Sequence, residues 1–179
     1  MRNELQKQTL LKELLKHYYN SNTKIYAGNE FCNTKKLKAL ERPDLIIIGQ
    51  PKTNYQFKDK RNIGSTVGIE MKDTVSLNDT KTGIVQTQKY KNQEYLIRET
   101  KQKIELDTVA YTTTRSVKEG ILCENPEYNV TLERIAWKFD VPILINHNNC
   151  LFWSYRNKYF HLDGRIYGRF GKDAIFYKY

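Results

Sequence analysis

Two carboxylates and one amine stand at the ends of two hydrophobic segments. Gly68-Ile69-Glu70-Met71-Lys72 alternates, so in a strand Glu70 and Lys72 share one face while Ile69 and Met71 enter the core. Upstream, Pro43 precedes Asp44-Leu-Ile-Ile-Ile-Gly49, a β-branched run that reads as a buried strand opening on Asp44. If these strands pair, Asp44 and Glu70 meet at one edge of a sheet. Oxygen donors of this kind suit Mg²⁺ or Mn²⁺. Such an ion would polarise a scissile phosphate and acidify water, while Lys72 positions the nucleophile or counters developing charge. Those are the parts that phosphodiester hydrolysis needs. A Glu-x-Lys triplet alone recurs by chance in lysine-rich chains. The alternative reading is a solvated Glu–Lys pair and a Pro-Asp turn that ends a helix.

The elements that must position these groups follow from periodicity. Residues 3–19 form an amphipathic helix with Leu11, Leu14, Leu15 and Tyr18 on one face, stopped at Asn20-Ser21-Asn22. A short strand is expected at Lys24 to Ala27, and residues 35–41 are polar with some helical character. Residues 50–63, with Lys52, Lys58, Lys60 and Arg61, read as a basic exposed loop or hairpin end. A strand over Thr66 to Lys72 leads to a helix starting near Asp79 and running to about Lys103. On it Gln86 and Tyr90 lie one turn apart and share a face with Ile97 and Ile104. Strands are expected at 107–115 and 141–146, with a helix at 131–139 between them. From Cys150 onward, turn signals at Asp163-Gly164 and Gly171-Lys172 separate short aromatic stretches, the texture of a β-meander.

Pro43-Asp44, a hydrophobic strand, a turn and then Glu70-x-Lys72 resemble the signature of the PD-(D/E)XK nuclease superfamily. The separation of 26 residues, from 44 to 70, is at the long end for that hairpin. The resemblance covers roughly residues 3 to 146 in its order of elements. It implies an α/β, restriction-endonuclease-like core with a central mixed sheet flanked by helices, here followed by a C-terminal β-rich extension. The division would fall at 1–148 and 149–179. Members often carry an acidic residue on the first helix near the metal. Glu4 shares the face of Leu11, Leu15 and Tyr18, whereas Glu13 lies opposite, so Glu4 joins Asp44 and Glu70 as an expected metal ligand. Glu4 at a helix N-terminus also has a simpler reading, as a charge favoured by the helix dipole. Gln86 and Tyr90 match the spacing of the QxxxY motif in RecB-like members, where the pair lines the active site and contacts DNA; such a pair also arises by chance. The three scattered cysteines (Cys32, Cys123, Cys150) cannot build the Cys₄ iron–sulfur site found in many RecB-like exonucleases, and no GxxxxGK[ST] segment occurs. The chain therefore more nearly resembles a compact endonuclease, such as a Holliday junction resolvase, a small restriction enzyme or a homing enzyme of this fold.

Charge agrees with a polyanionic partner. Thirty lysines and arginines oppose twenty acidic residues, for a net charge of +10. Lys52, Lys58, Lys60 and Arg61 are expected on the DNA backbone, with Arg115 beside the hydroxyls of Thr112-Thr-Thr. In the tail, Arg156, Arg165 and Arg169 alternate with aromatics that either stack on bases or form a small core or dimer contact. No apolar run approaches the roughly 20 residues that span a bilayer, and the opening stretch has no apolar h-region, so a cytoplasmic protein without membrane contact is expected. His17, His147 and His161 form no HExxH or HNH-like arrangement. The expected activity is metal-dependent endonucleolytic cleavage of DNA, with a homodimer the simplest way to cut both strands. The alternatives are a basic nucleic-acid-binding protein without catalysis, and a RecB-like exonuclease.

Overall fold

The computed structural model describes residues 4–35, 41–52, 65–72, 77–113, 126–147, 150–155, 158–161 and 166–168. In chain order the elements are α1 (Glu4–Lys16), β1 (Lys24–Ala27), β2 (Phe31–Asn33), β3 (Leu45–Ile48), β4 (Thr66–Lys72) and α2 (Leu77–Lys89). They continue with β5 (Glu94–Ile97), β6 (Lys103–Glu105), β7 (Thr108–Thr113), α3 (Pro126–Lys138) and β8 (Ile143–His147), then β9 (Cys150–Tyr155), β10 (Lys158–His161) and β11 (Ile166–Gly168). The protein is α/β. An open sheet runs in the order β1-β3-β4-β7-β8-β9-β10-β11, and a second, three-stranded sheet runs β2-β5-β6. The large sheet is mixed: β1, β3 and β4 are antiparallel, β4, β7 and β8 parallel, and the strands from β8 to β11 antiparallel again. No helix among the described residues is long and apolar enough to cross a membrane.

Alternation along β4 divides the core. Val67, Ile69 and Met71 pack with Leu45 and Ile47 of β3 and with Leu11 and Leu15 of α1. Each such side chain contributes roughly 1.5–3 kcal/mol of burial, enough to seat α1 on that face. On the other face, α2 and α3 meet β7 and β8 through Ile84, Leu132, Ala136, Tyr111 and Ile143. The small sheet covers the rest of that face, with Tyr90, Tyr95, Ile97 and Ile104 packed on Ile46 and Val109.

The helix expected from Asp79 to about Lys103 ends at Lys89, and a 3₁₀ turn, Tyr90–Asn92, follows it. Glu94–Ile97 buries Tyr95 and Ile97 alternately and is a strand. Ile97 and Ile104 do join Tyr90 in one apolar cluster, but from β5 and β6 rather than along a helix face. The physical reason is period two: Tyr95 and Ile97 need the same side of an extended chain, an arrangement that helical spacing denies them. The helix expected at 131–139 begins earlier, at Pro126, a residue whose fixed φ suits a first helical turn. Residues 36–40, 53–64 and 114–125 lie outside the described residues, and with them the polar stretch before Glu41 and most of the basic loop.

Gly83 sets how closely α2 approaches the sheet. A Cβ there would stand 2.8 Å from the ring of Tyr111 and 3.2 Å from Cγ of Lys72. Alanine in an exposed helix ordinarily gains up to about 1 kcal/mol over glycine. Here we expect Gly83→Ala to destabilise the protein by about 1–3 kcal/mol through overpacking, read as a lower midpoint in urea denaturation. A raised midpoint would contradict this packing.

Candidate catalytic site

Antiparallel pairing of β3 and β4 matches Leu45 with Ile69, and one step further along the register sets Asp44 opposite Glu70. The chain is pinned there by Asp44 N–H, which donates to the Ile69 carbonyl at 2.9 Å. Pro43 has no N–H to extend the ladder. Next to it the Asp44 side chain adds a further tie between the strands, with Oδ2 accepting the Met71 N–H at 2.7 Å. Its Oδ1 accepts from Gln8 Nε2 of α1 at 3.1 Å. Asp44 is thus held by two donors from two elements.

Glu70 is only 2% exposed. Lys72 Nζ stands 2.5 Å from its Oε1, and Tyr90 OH donates to its Oε2 at 3.2 Å. Gln86 Nε2 in turn donates to Tyr90 OH at 2.7 Å. Burial raises the Glu70 pKa first and the charge of Asp44 adds to it, against the lowering by Lys72 and Tyr90, so the carboxyl is pushed up to about 7. Burial and the neighbouring Glu70 charge also push the Tyr90 hydroxyl well above its ordinary range, which keeps it a donor. The Lys72 side chain is 39% exposed, so its ammonium bridges the buried carboxyl and solvent.

Five residues expected at the site therefore converge: Asp44, Glu70, Lys72, Gln86 and Tyr90. The Gln86–Tyr90 pair reaches Glu70 because Tyr90 stands in the 3₁₀ turn just after α2. Others are not brought together with them. Lys52 lies beyond the opposite end of β3 from Asp44 and donates through Nζ to the His17 carbonyl at 2.8 Å. Glu4 opens α1, but its side chain is not among those described. Lys58, Lys60, Arg61, Arg115, Arg156, Arg165 and Arg169 lie outside the described residues. Gln8 was missed by sequence reasoning. It is 7% exposed and precedes Leu11 and Leu15 on the buried stripe of α1, the same signal of a polar residue on an apolar face that singles out Gln86.

Among the described residues, no group of three or more metal-ligating side chains converges. Two hard-oxygen carboxylates at one point nevertheless meet what Mg²⁺ ordinarily takes from protein, since it keeps several waters. Compared with protein-family models, curated proteins and solved structures, the chain gives no match.

The raised Glu70 pKa has a stability consequence. The folded state holds this proton more tightly than the unfolded chain, whose glutamate titrates near 4.5. Its favourable contribution is therefore complete below about pH 4.5 and is lost as pH rises through about 7. Relative to Glu70→Gln, wild type without divalent ions is expected to lose on the order of 3 kcal/mol across that window, measured by urea denaturation at a series of pH values. A wild-type-minus-variant difference that stays flat with pH would contradict the burial and charge pairing described above.

Proposed function

We propose that the chain is a divalent-metal-dependent DNA endonuclease with a restriction-endonuclease-like core. The observation that carries the reading is the convergence of Asp44, Glu70 and Lys72 at one end of β3 and β4, with the Gln86–Tyr90 pair bonded onto Glu70. A lysine-rich composition with net charge +10 supports a polyanionic substrate.

Asp44 and Glu70 would hold Mg²⁺ or Mn²⁺, which supplies Lewis acidity toward a phosphodiester. Gln8 and the Met71 N–H orient Asp44, so its oxygens need no reorganisation during reaction. Tyr90, steadied by Gln86, does the same for Glu70. Lys72 can swing from Glu70 toward a phosphate oxygen, where its positive charge offsets charge developing in the transition state. Because Glu70 must lose its proton to ligate a cation, affinity for the ion falls below about pH 7.

A second reading, a nucleic-acid-binding protein without catalysis, is favoured by a specific feature. All four oxygens of Asp44 and Glu70 are already engaged by Gln8, Met71, Lys72 and Tyr90, as in a closed structural network. Incubation of supercoiled plasmid with Mg²⁺, Mn²⁺ or EDTA separates the two. The endonuclease reading expects nicked or linear product only with metal, and a loss of at least about 100-fold in Glu70→Ala and Lys72→Ala. Plasmid, linear and branched DNA all left intact by wild type would leave the binding protein.

A further inference from the structure

A cleft of about 670 Å³ runs along the solvent side of α2, where Asn78, Lys81, Thr82, Gln86 and Lys89 recur at helical spacing above Tyr90. It ends at the two residues that reach Glu70, since Gln86 donates to Tyr90 and Tyr90 to the carboxyl. The cleft thus shares Gln86 and Tyr90 with the candidate catalytic site, whose Asp44, Glu70 and Lys72 lie outside its described lining. Its described lining carries two lysines against one carboxylate, Glu41, and both lysines are exposed. Eight residues of helix separate Lys81 from Lys89, so their stems leave the axis about 12 Å apart, a span that several consecutive phosphates of one strand can follow.

Size narrows the occupant. Clefts of roughly 300–1,000 Å³ enclose one small organic ligand. This one has room for a nucleotide or two but not for a duplex. Between the cations stand the neutral hydrogen-bonding groups Thr82 and Gln86, with Asn78 one turn before Lys81, a lining that tracks a backbone without reading one base. We propose that the α2 cleft binds an unpaired DNA strand, with Lys81 and Lys89 on its phosphates, and leads that strand to Glu70 and Lys72. The inference rests on the proposed endonuclease only for the strand's fate; binding itself requires no catalysis. A substrate with a single-stranded segment, such as a flap, a gap or a frayed branch, fits this site better than an intact duplex.

Fluorescence anisotropy in EDTA tests it, with labelled oligo-dT, a duplex of equal length, and dTMP as competitor. The variants are Lys81→Gln/Lys89→Gln and, as a control elsewhere on the surface, Lys24→Gln on β1. The double variant is expected to bind oligo-dT at least ten-fold more weakly at low salt, with a log–log salt slope shallower by about 1.4, two contacts at about 0.7 each. Duplex binding should change no more than it does in Lys24→Gln. Equal losses for single strand and duplex, or a loss no greater than that of the control, would overturn the proposal. So would competition by dTMP as strong as that by the oligomer, which would mark a small-anion site. Plasmid cleavage tells the two readings apart: a double variant that still cuts but shows no selective loss sinks the cleft alone, whereas wild type that binds oligo-dT selectively but never cuts sinks the enzyme alone.

Discussion

The structure turns on a buried carboxyl, Glu70, placed opposite a second one, Asp44. Removing an ionised carboxylate from water costs several kcal/mol even after relaxation, and a like charge nearby adds to the cost. Lys72 and Tyr90 offset part of this, but they leave the Glu70 pKa near 7 rather than in its ordinary range. A fold would gain stability by placing an apolar residue there. A carboxyl buried at this cost is the feature on which the proposed catalytic role of Glu70 rests.

The surrounding elements are arranged to hold that arrangement still. At the end of the β3–β4 ladder the Asp44 side chain receives the Met71 N–H. The absence of a side chain at Gly68 admits Leu106 against β4, and its absence at Gly83 admits Tyr111 and Lys72 against α2. The two faces of the sheet also contribute differently. α1 brings Gln8 to Asp44, while α2 brings Gln86, through Tyr90, to Glu70. At the start of β4, Asp107 accepts from the N–H groups of Ser65 and Thr66. This ties β4 to the entry of β7 at the end away from the carboxylates.

The strand pair that carries the site was legible in the sequence because its signals are local. β-branched residues mark β3, strict alternation marks β4, and Pro43 fixes where β3 can start. The partnership of Gln86 with Tyr90 was legible for the same reason, as polar residues on an apolar stripe. The continuation of α2 was misread because Tyr90, Ile97 and Ile104 fall at helical spacing by coincidence; only the alternate burial of Tyr95 and Ile97 discloses strands. The small sheet as a whole was not legible. Phe31–Asn33 is three residues long, and its partner lies more than sixty positions away, a pairing that no local pattern encodes. Gln8 is signalled in the sequence only as a polar residue on the apolar stripe of α1, one turn after the acidic Glu4 that the nuclease resemblance favours.

The most direct measurement follows the Glu70 carboxyl carbon by NMR as a function of pH, with and without Mg²⁺, assigned by comparison with Glu70→Gln. A midpoint near 7 without the ion, falling below the ordinary glutamate range of about 4.3 when Mg²⁺ is present, is the predicted result. A Glu70 midpoint that Mg²⁺ leaves unmoved would show that the carboxylate pair does not take the cation, and the catalytic account would fall with it.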